Sequence, residues 1–171
     1  MRRRLARLLL VLALVPASAC GGDDESTPSQ GSTTTEPSPA ETQRALEDTS
    51  LKPQIPRPTG TPPRRLEAED IVKGKGRAAK PGDIVEVQYV GIAFSTGAEF
   101  DASWDTGQPF AFPLGAGQVI QGWDRGIVGM RKGGRRQLTI PPELAYGAEG
   151  SPPAIGPNET LVFVVDMLRF R

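Results

Sequence analysis

The chain has 171 residues, 20 Lys+Arg against 20 Asp+Glu, one Cys and no His. The missing His excludes imidazole acid–base chemistry, Ser-His and Cys-His dyads, and most zinc and copper sites. The single Cys excludes an internal disulfide framework. All ten aromatic residues lie between Tyr89 and Phe170. The expected organisation is therefore a head, a tether and a compact C-terminal unit of about 105 residues.

Residues 1–19 place Arg2, Arg3, Arg4 and Arg7 ahead of an apolar run, Leu8 to Val15, followed by Ala17-Ser18-Ala19. A basic start, a short apolar run and small residues are expected to be a secretory signal peptide. The run is too short to span the roughly 30 Å of a bilayer's hydrocarbon. Cys20 follows directly, with Gly21-Gly22-Asp23-Asp24 next. This junction resembles a bacterial lipobox, in which the Cys is acylated and becomes the first mature residue. It departs from that pattern at Ala17, where Leu is usual; free secretion after Ala17-Ser18-Ala19 is the alternative. The expectation is an extracytoplasmic protein, lipid-anchored through Cys20 to the outer face of a bacterial cytoplasmic membrane. Without residues 1–19 the chain holds 16 basic and 20 acidic residues, a formal net of −4. That balance argues against a nucleic-acid partner. Arg131, Lys132, Arg135 and Arg136 form a basic cluster, which reads as a helix end and a solvated turn rather than a phosphate site.

Residues 20–63 hold eight Pro and only three large aliphatics, Leu46, Leu51 and Ile55. Such a composition cannot offset the entropy of ordering, so a disordered linker is expected, stiffened by Pro53, Pro56, Pro58, Pro62 and Pro63. Within it, Glu41–Asp48 is at most a transient helical turn, too short to persist alone. The folded unit is expected over 64–171.

In that unit Asp83–Ile92 alternates Val85, Val87 and Tyr89 with Glu86 and Gln88, a half-buried strand after the turn Lys80-Pro81-Gly82-Asp83. Gly74-Lys75-Gly76 before it reads as a loop. Phe94 leads into Ser95-Thr96-Gly97, a hairpin turn. Glu99–Ser103 and Pro109–Leu114 are short extended segments, the latter with Phe110, Phe112 and Leu114 on one face. Gln118–Met130 is the one helical pattern, with Val119, Ile120, Trp123, Ile127, Val128 and Met130 near 3.6-residue spacing. Gly122, Gly126 and Gly129 weaken it by about 1 kcal/mol each relative to Ala, so packing must hold it. Gly133-Gly134 is expected to end it. Arg136–Pro141 is a further strand, and Leu161–Phe170 is apolar enough for a central one. The fold class is α+β, an antiparallel sheet covering a single helix.

Five segments then occur in order: Gly-Ala-Glu-Phe-Asp-Ala-Ser (97–103), Pro-Phe-Ala-Phe-Pro-Leu-Gly (109–115), Val-Ile-Gln-Gly-Trp-Asp-Arg-Gly-Ile-Val-Gly-Met (119–130), Leu-Thr-Ile-Pro-Pro-Glu-Leu-Ala-Tyr-Gly-Ala (138–148) and Thr-Leu-Val-Phe-Val-Val-Asp (160–166). Together they resemble the FK506-binding-protein family of peptidyl-prolyl cis-trans isomerases. The resemblance implies a twisted, half-open antiparallel sheet wrapped around one short helix, with an apolar pocket between them. It implies Trp123 as the pocket floor and Tyr89, Phe100, Phe110, Val119, Ile120 and Phe163 as walls. Asp101 and Tyr146 supply the polar groups, and Ile155 sits over the rim. Phe112 and Leu114 are expected as core beside the pocket. It also implies proline-containing polypeptide segments as partners, macrolides of the FK506 class as possible ligands, and no metal or cofactor. Nothing in the sequence asks for more than a monomer.

The absence of His and of a Cys nucleophile is compatible with this chemistry. Rotation about an Xaa-Pro bond is slow because of amide resonance, with a barrier near 18–20 kcal/mol. A water-poor pocket disfavours the charge-separated planar state relative to the twisted one. Tyr146 and the Ile120 N–H are expected to donate to the peptide; Asp101 either orients the site or stabilises the twisted carbonyl through its field. In drug-binding members of the family an Arg five residues after the Asp pairs with it; here Thr106 stands there. Gln118, Ser151 and Ala154 are further departures at the rim. Two other readings stay open: a peptide-binding module without turnover, and a lipid-anchored assembly partner.

Overall fold

A computed structural model describes residues 38–171. The signal segment, Cys20 and the tether as far as residue 37 lie outside the described residues. In chain order the elements are helix α1 (Pro39–Glu47), strands β1 (Glu67–Val72), β2 (Lys75–Ala78), β3 (Ile84–Ala93) and β4 (Glu99–Ala102), and helix α2 (Ser103–Thr106). They continue with β5 (Phe110–Pro113), helix α3 (Gln121–Gly126), β6 (Arg131–Lys132), β7 (Arg135–Ile140), a 3-10 turn at Pro142–Leu144, and β8 (Leu161–Phe170). Six strands form one antiparallel sheet in the order β1-β7-β8-β3-β4, with β5 pairing the first half of β3 and β4 the second. β2 and β6 make a separate two-stranded ribbon. The sheet is open and α3 packs on one face, as the α+β expectation had it.

Alternation along the strands sorts residues onto two faces. On one, Val85 and Val87 of β3, Leu138 and Ile140 of β7, and Phe163, Val165 and Met167 of β8 meet Trp123 and Ile127. Gly122 and Gly126 let α3 lie against β7: a β-carbon at Gly122 would collide with the Ile140 side chain, and one at Gly126 would come 2.7 Å from Leu138 Cδ2. On the other face Val90, Ile92, Ala102 and Val162 form a second buried cluster, with Ile55 and Trp104 packed against it. β8 is buried from Leu161 through Met167. Both of its faces are covered, which accounts for its nearly unbroken apolar run.

The covering on the second face is the stretch expected to be disordered. Residues 38–63 carry a helix and dock on the sheet. Ser38 and Glu41 close a capping box at the start of α1, with Pro39 in its first turn. Leu46 is 7% exposed. The fastening point is Arg135, fully buried, whose guanidinium donates to the carbonyl oxygens of Leu46, Asp48 and Leu51 at 2.9–3.0 Å while gripping the Asp166 carboxylate at 2.5 and 2.8 Å. Arg135 is therefore not on a solvated turn. Arg136 beside it holds the Gly126 and Val128 carbonyls at the end of α3 and Asp70 of β1.

Other departures are smaller. α3 is six residues rather than the thirteen of the apolar pattern. Residues 118–120 are held in the preceding loop, and Gly129 turns away at φ +88°. Gly133-Gly134 lies in the β6–β7 connection, not at the helix end. Lys75 and Gly76 belong to β2 instead of a loop. β1 carries no apolar alternation: its Glu67, Glu69 and Asp70 suit an exposed edge, where charge discourages further pairing.

Candidate active site

A cavity of about 470 Å³ opens between α3 and the sheet, lined by Tyr89, Phe100, Asp101, Phe110, Gly117, Gln118, Val119, Ile120, Trp123, Tyr146 and Phe163. Trp123 is 4% exposed and forms its floor. Three rings meet the indole edge-on or obliquely: Tyr89 at 5.0 Å and 81°, Phe163 at 5.2 Å and 84°, and Phe110 at 6.2 Å and 67° between centroids. These edge-to-face contacts fix the rings as rigid apolar walls of the hollow. Phe100 extends the wall through an 89° contact with Phe163 at 5.5 Å. Gly91 between them makes room: a β-carbon there would lie 2.7 Å from the Phe163 ring and 2.8 Å from that of Phe100. The Trp123 Nε1–H finds no acceptor among the described residues, although it is buried. Holding an unpaired donor costs about 1–3 kcal/mol.

The polar groups stand at the mouth. Tyr146 is 43% exposed, as is Phe110 at 42%. The Tyr89 hydroxyl donates to Asp101 Oδ2 at 2.6 Å. Burial pushes the Tyr89 hydroxyl well above its ordinary value, and the bond to Asp101, its charge and the neighbouring Tyr146 push the same way. The phenol therefore stays protonated at neutral pH and remains the donor. Asp101 is thus held by Tyr89, while the Thr106 hydroxyl donates to the Ser103 carbonyl. Behind Tyr89, the Ser103 hydroxyl accepts from its backbone N–H at 2.8 Å and donates to the Gln88 side chain, pinning β3 to the start of α2.

The structure brings together nine of the ten pocket residues expected from the sequence. Ile155 is the exception. It is 4% exposed, belongs to the main core cluster, and is held by a bridge to Ser151, so it packs beneath the surface rather than over the rim. Phe112 and Leu114 are core, at 2% and 1% exposure. Gln118, a rim departure in the sequence, lines the hollow; the lining residue Gly117 and the organiser Asp124 carry no site expectation from the sequence. The Asp124 carboxylate accepts from the N–H groups of Gly115 and Gly117, both at 2.8 Å, and so shapes the loop that presents Gln118, Val119 and Ile120. The available cue was a carboxylate in the first turn of a helix behind a Gly-Ala-Gly turn with unpaired donors. Among the described residues no group of three or more His, Cys, Asp or Glu is placed to hold a metal ion.

The FKBP-type peptidyl-prolyl cis-trans isomerase family model matches residues 75–168, a stretch that contains every lining residue. The chain belongs to this family. An FK506-binding protein of Streptomyces anulatus is 55% identical over 118 residues, covering 68% of this chain and 95% of its own length. A probable FK506-binding protein of Corynebacterium glutamicum is also 55% identical, over 117 residues, covering 68% and 97%. Among solved structures, that of AtFKBP13 superimposes with a TM-score of 0.58 at 38% identity, covering 62% of this chain and 93% of its own. That of FkpA from Escherichia coli gives 0.57 at 45% identity, covering 62% and 48%. The FKBP fold and the isomerase class follow.

Proposed function

We propose that this peptidyl-prolyl isomerase acts through the hollow over Trp123, without a covalent intermediate or a metal. The observation that carries the reading is a rigid aromatic hollow whose hydroxyls and carboxylate lie only at its mouth. A proline ring fits against the Trp123 floor between Tyr89, Phe110 and Phe163. The preceding carbonyl then lies at the mouth, where Tyr146 and the Ile120 N–H donate to the peptide. Twisting about the Xaa-Pro bond removes its charge-separated resonance form, so a poorly hydrated wall favours the twisted state over the planar one. Asp101, held by Tyr89, sets the field at the mouth. Macrolides of the FK506 class are candidate ligands of the same hollow, with affinity altered by Gln118.

Tetrapeptides containing Xaa-Pro test this directly. Acceleration of cis-to-trans conversion by the full chain is the expected result; peptide binding without acceleration would make the hollow a binding module. We also propose that the clients are exported proteins, that the protein works as a monomer, and that it is held at the membrane by an acylated Cys20. The supports are the basic-apolar-small pattern of residues 1–19 and the Cys that follows it. Cys20 and Ser38, the first described residue, are eighteen residues apart in the chain, which limits their separation to about 65 Å at most. Mass spectrometry of the mature amino terminus would show a diacylglyceryl mass on Cys20, or an unmodified one if secretion is free.

A further inference from the structure

The β3–β4 hairpin presents Phe100 and Asp101 to the hollow from the edge of the sheet, where only β3 pairs with β4. β4 is four residues long, makes three registered pairs with β3, and has a register shift between Gly91 and Ile92. The helix that follows, α2, is four residues long with no side-chain cap at Ala102. Three acids, Glu99, Asp101 and Asp105, crowd into seven residues and repel one another.

The docked amino-terminal strap adds a second hold, from the face opposite the hollow. Lys52 Nζ lies 2.7 Å from Glu99 Oε1 and 2.7 Å from Asp105 Oδ1, so one ammonium ties the residue two before Asp101 to the residue four after it. Ile55 packs on the cluster of Val90, Ile92 and Ala102, on the face of β3–β4 away from the hollow. Arg57 donates to the Ser95 carbonyl at 2.7 Å, and its Cβ and Cγ press on the hairpin tip: a β-carbon at Gly97 would come within 2.9 Å of both. The strap itself is fastened through Arg135.

We propose that Lys52 and Ile55 are positioning residues of the isomerase: from outside the pocket they fix the backbone that carries Asp101, and they set turnover rather than substrate affinity. The proposal rests on the reading of Asp101 as a working group of the hollow. Misplacing such a group by a fraction of an ångström costs rate while leaving apolar binding in place.

The test uses the full-length chain carrying Lys52→Ala, Lys52→Arg, Ile55→Val or Asp101→Asn. Exchange NMR on an Xaa-Pro tetrapeptide separates kcat from KM, thermal melts confirm folding at the assay temperature, and the ¹³C resonance of the Asp101 carboxyl reports its surroundings. Lys52→Ala is expected to lower kcat about fivefold, to leave KM within about twofold, and to shift the Asp101 resonance. Lys52→Arg restores both, and Ile55→Val gives a smaller loss of kcat in the same direction. If Lys52→Ala and Ile55→Val lower only the melting temperature while Asp101→Asn abolishes turnover, the inference fails and the site reading stands. If Asp101→Asn turns over at the full rate, the reading of Asp101 fails and takes the inference with it.

Discussion

The two faces of the sheet are closed in different ways. On the α3 face large rings meet edge to face, and their geometry leaves about 470 Å³ open above Trp123. On the strap face Val90, Ile92, Ala102 and Val162 are small or β-branched side chains, and a chain segment without aromatic residues lies over them. The helix is held by shape, through two glycines against Ile140 and Leu138. The strap is held by charge and backbone, through Arg135 and Lys52. A hollow needs rigid walls that do not collapse, and aromatic edges provide them. A cover needs only to exclude water and satisfy its carbonyls, and a proline-rich segment can do so.

The sharpest way to break this contrast is Arg135→Met. It leaves Asp166 buried without its partner, and three strap carbonyls without their donor. Burial already pushes the Asp166 carboxyl up against the pull of Arg135. A loss of about 3–5 kcal/mol is expected in denaturant unfolding. A loss under about 1 kcal/mol would mean that the strap face is not fastened there. On the other face Gly122→Ala drives a methyl into Ile140, and a loss of about 1–3 kcal/mol should appear in the same measurement. Tyr146→Phe should leave stability unchanged, because the side chain is 43% exposed. Its effect should fall on kcat/KM, lowered about two- to tenfold by the lost donor.

The smallest effect concerns pH. Bonding to Lys52 holds the Asp105 carboxyl below its ordinary 3.8, and bonding to Asp105 and Glu99 holds the Lys52 ammonium above its ordinary 10.5. The carboxylate's contribution is complete above 3.8 and lost as pH falls through the lower folded value. The ammonium's is complete below 10.5 and lost as pH rises through the higher folded value. The stability difference between the wild-type chain and Lys52→Ala should therefore be flat from about pH 5 to 9 and vanish in strong acid or base. A difference that changes within the flat range would place the clamp elsewhere.

The pocket residues were legible only through the family resemblance, which five segments in order carry; taken by themselves Trp123 reads as core, Tyr146 as a loop residue and Asp101 as a turn or strand-end group. Ile155 misled because a family position fixes a residue's place in the chain, not the side of the loop on which it packs. The strap was illegible for a different reason. Its attachment runs through the carbonyl oxygens of Leu46, Asp48 and Leu51, which any sequence possesses. Composition counts the apolar side chains of the segment itself and misses a partner arginine 84 residues or more away. One clue was present: β8 is apolar on both faces, which demands a cover on the side opposite α3. β1 and the β2–β6 ribbon escaped because polar edge strands carry no alternation.

The most direct measurement is the Xaa-Pro isomerisation rate of the full chain beside a Trp123→Leu variant that remains folded. The account predicts clear acceleration by the wild-type chain and loss of most of it when the indole floor is replaced. A folded Trp123→Leu protein that isomerises at the full rate would contradict it.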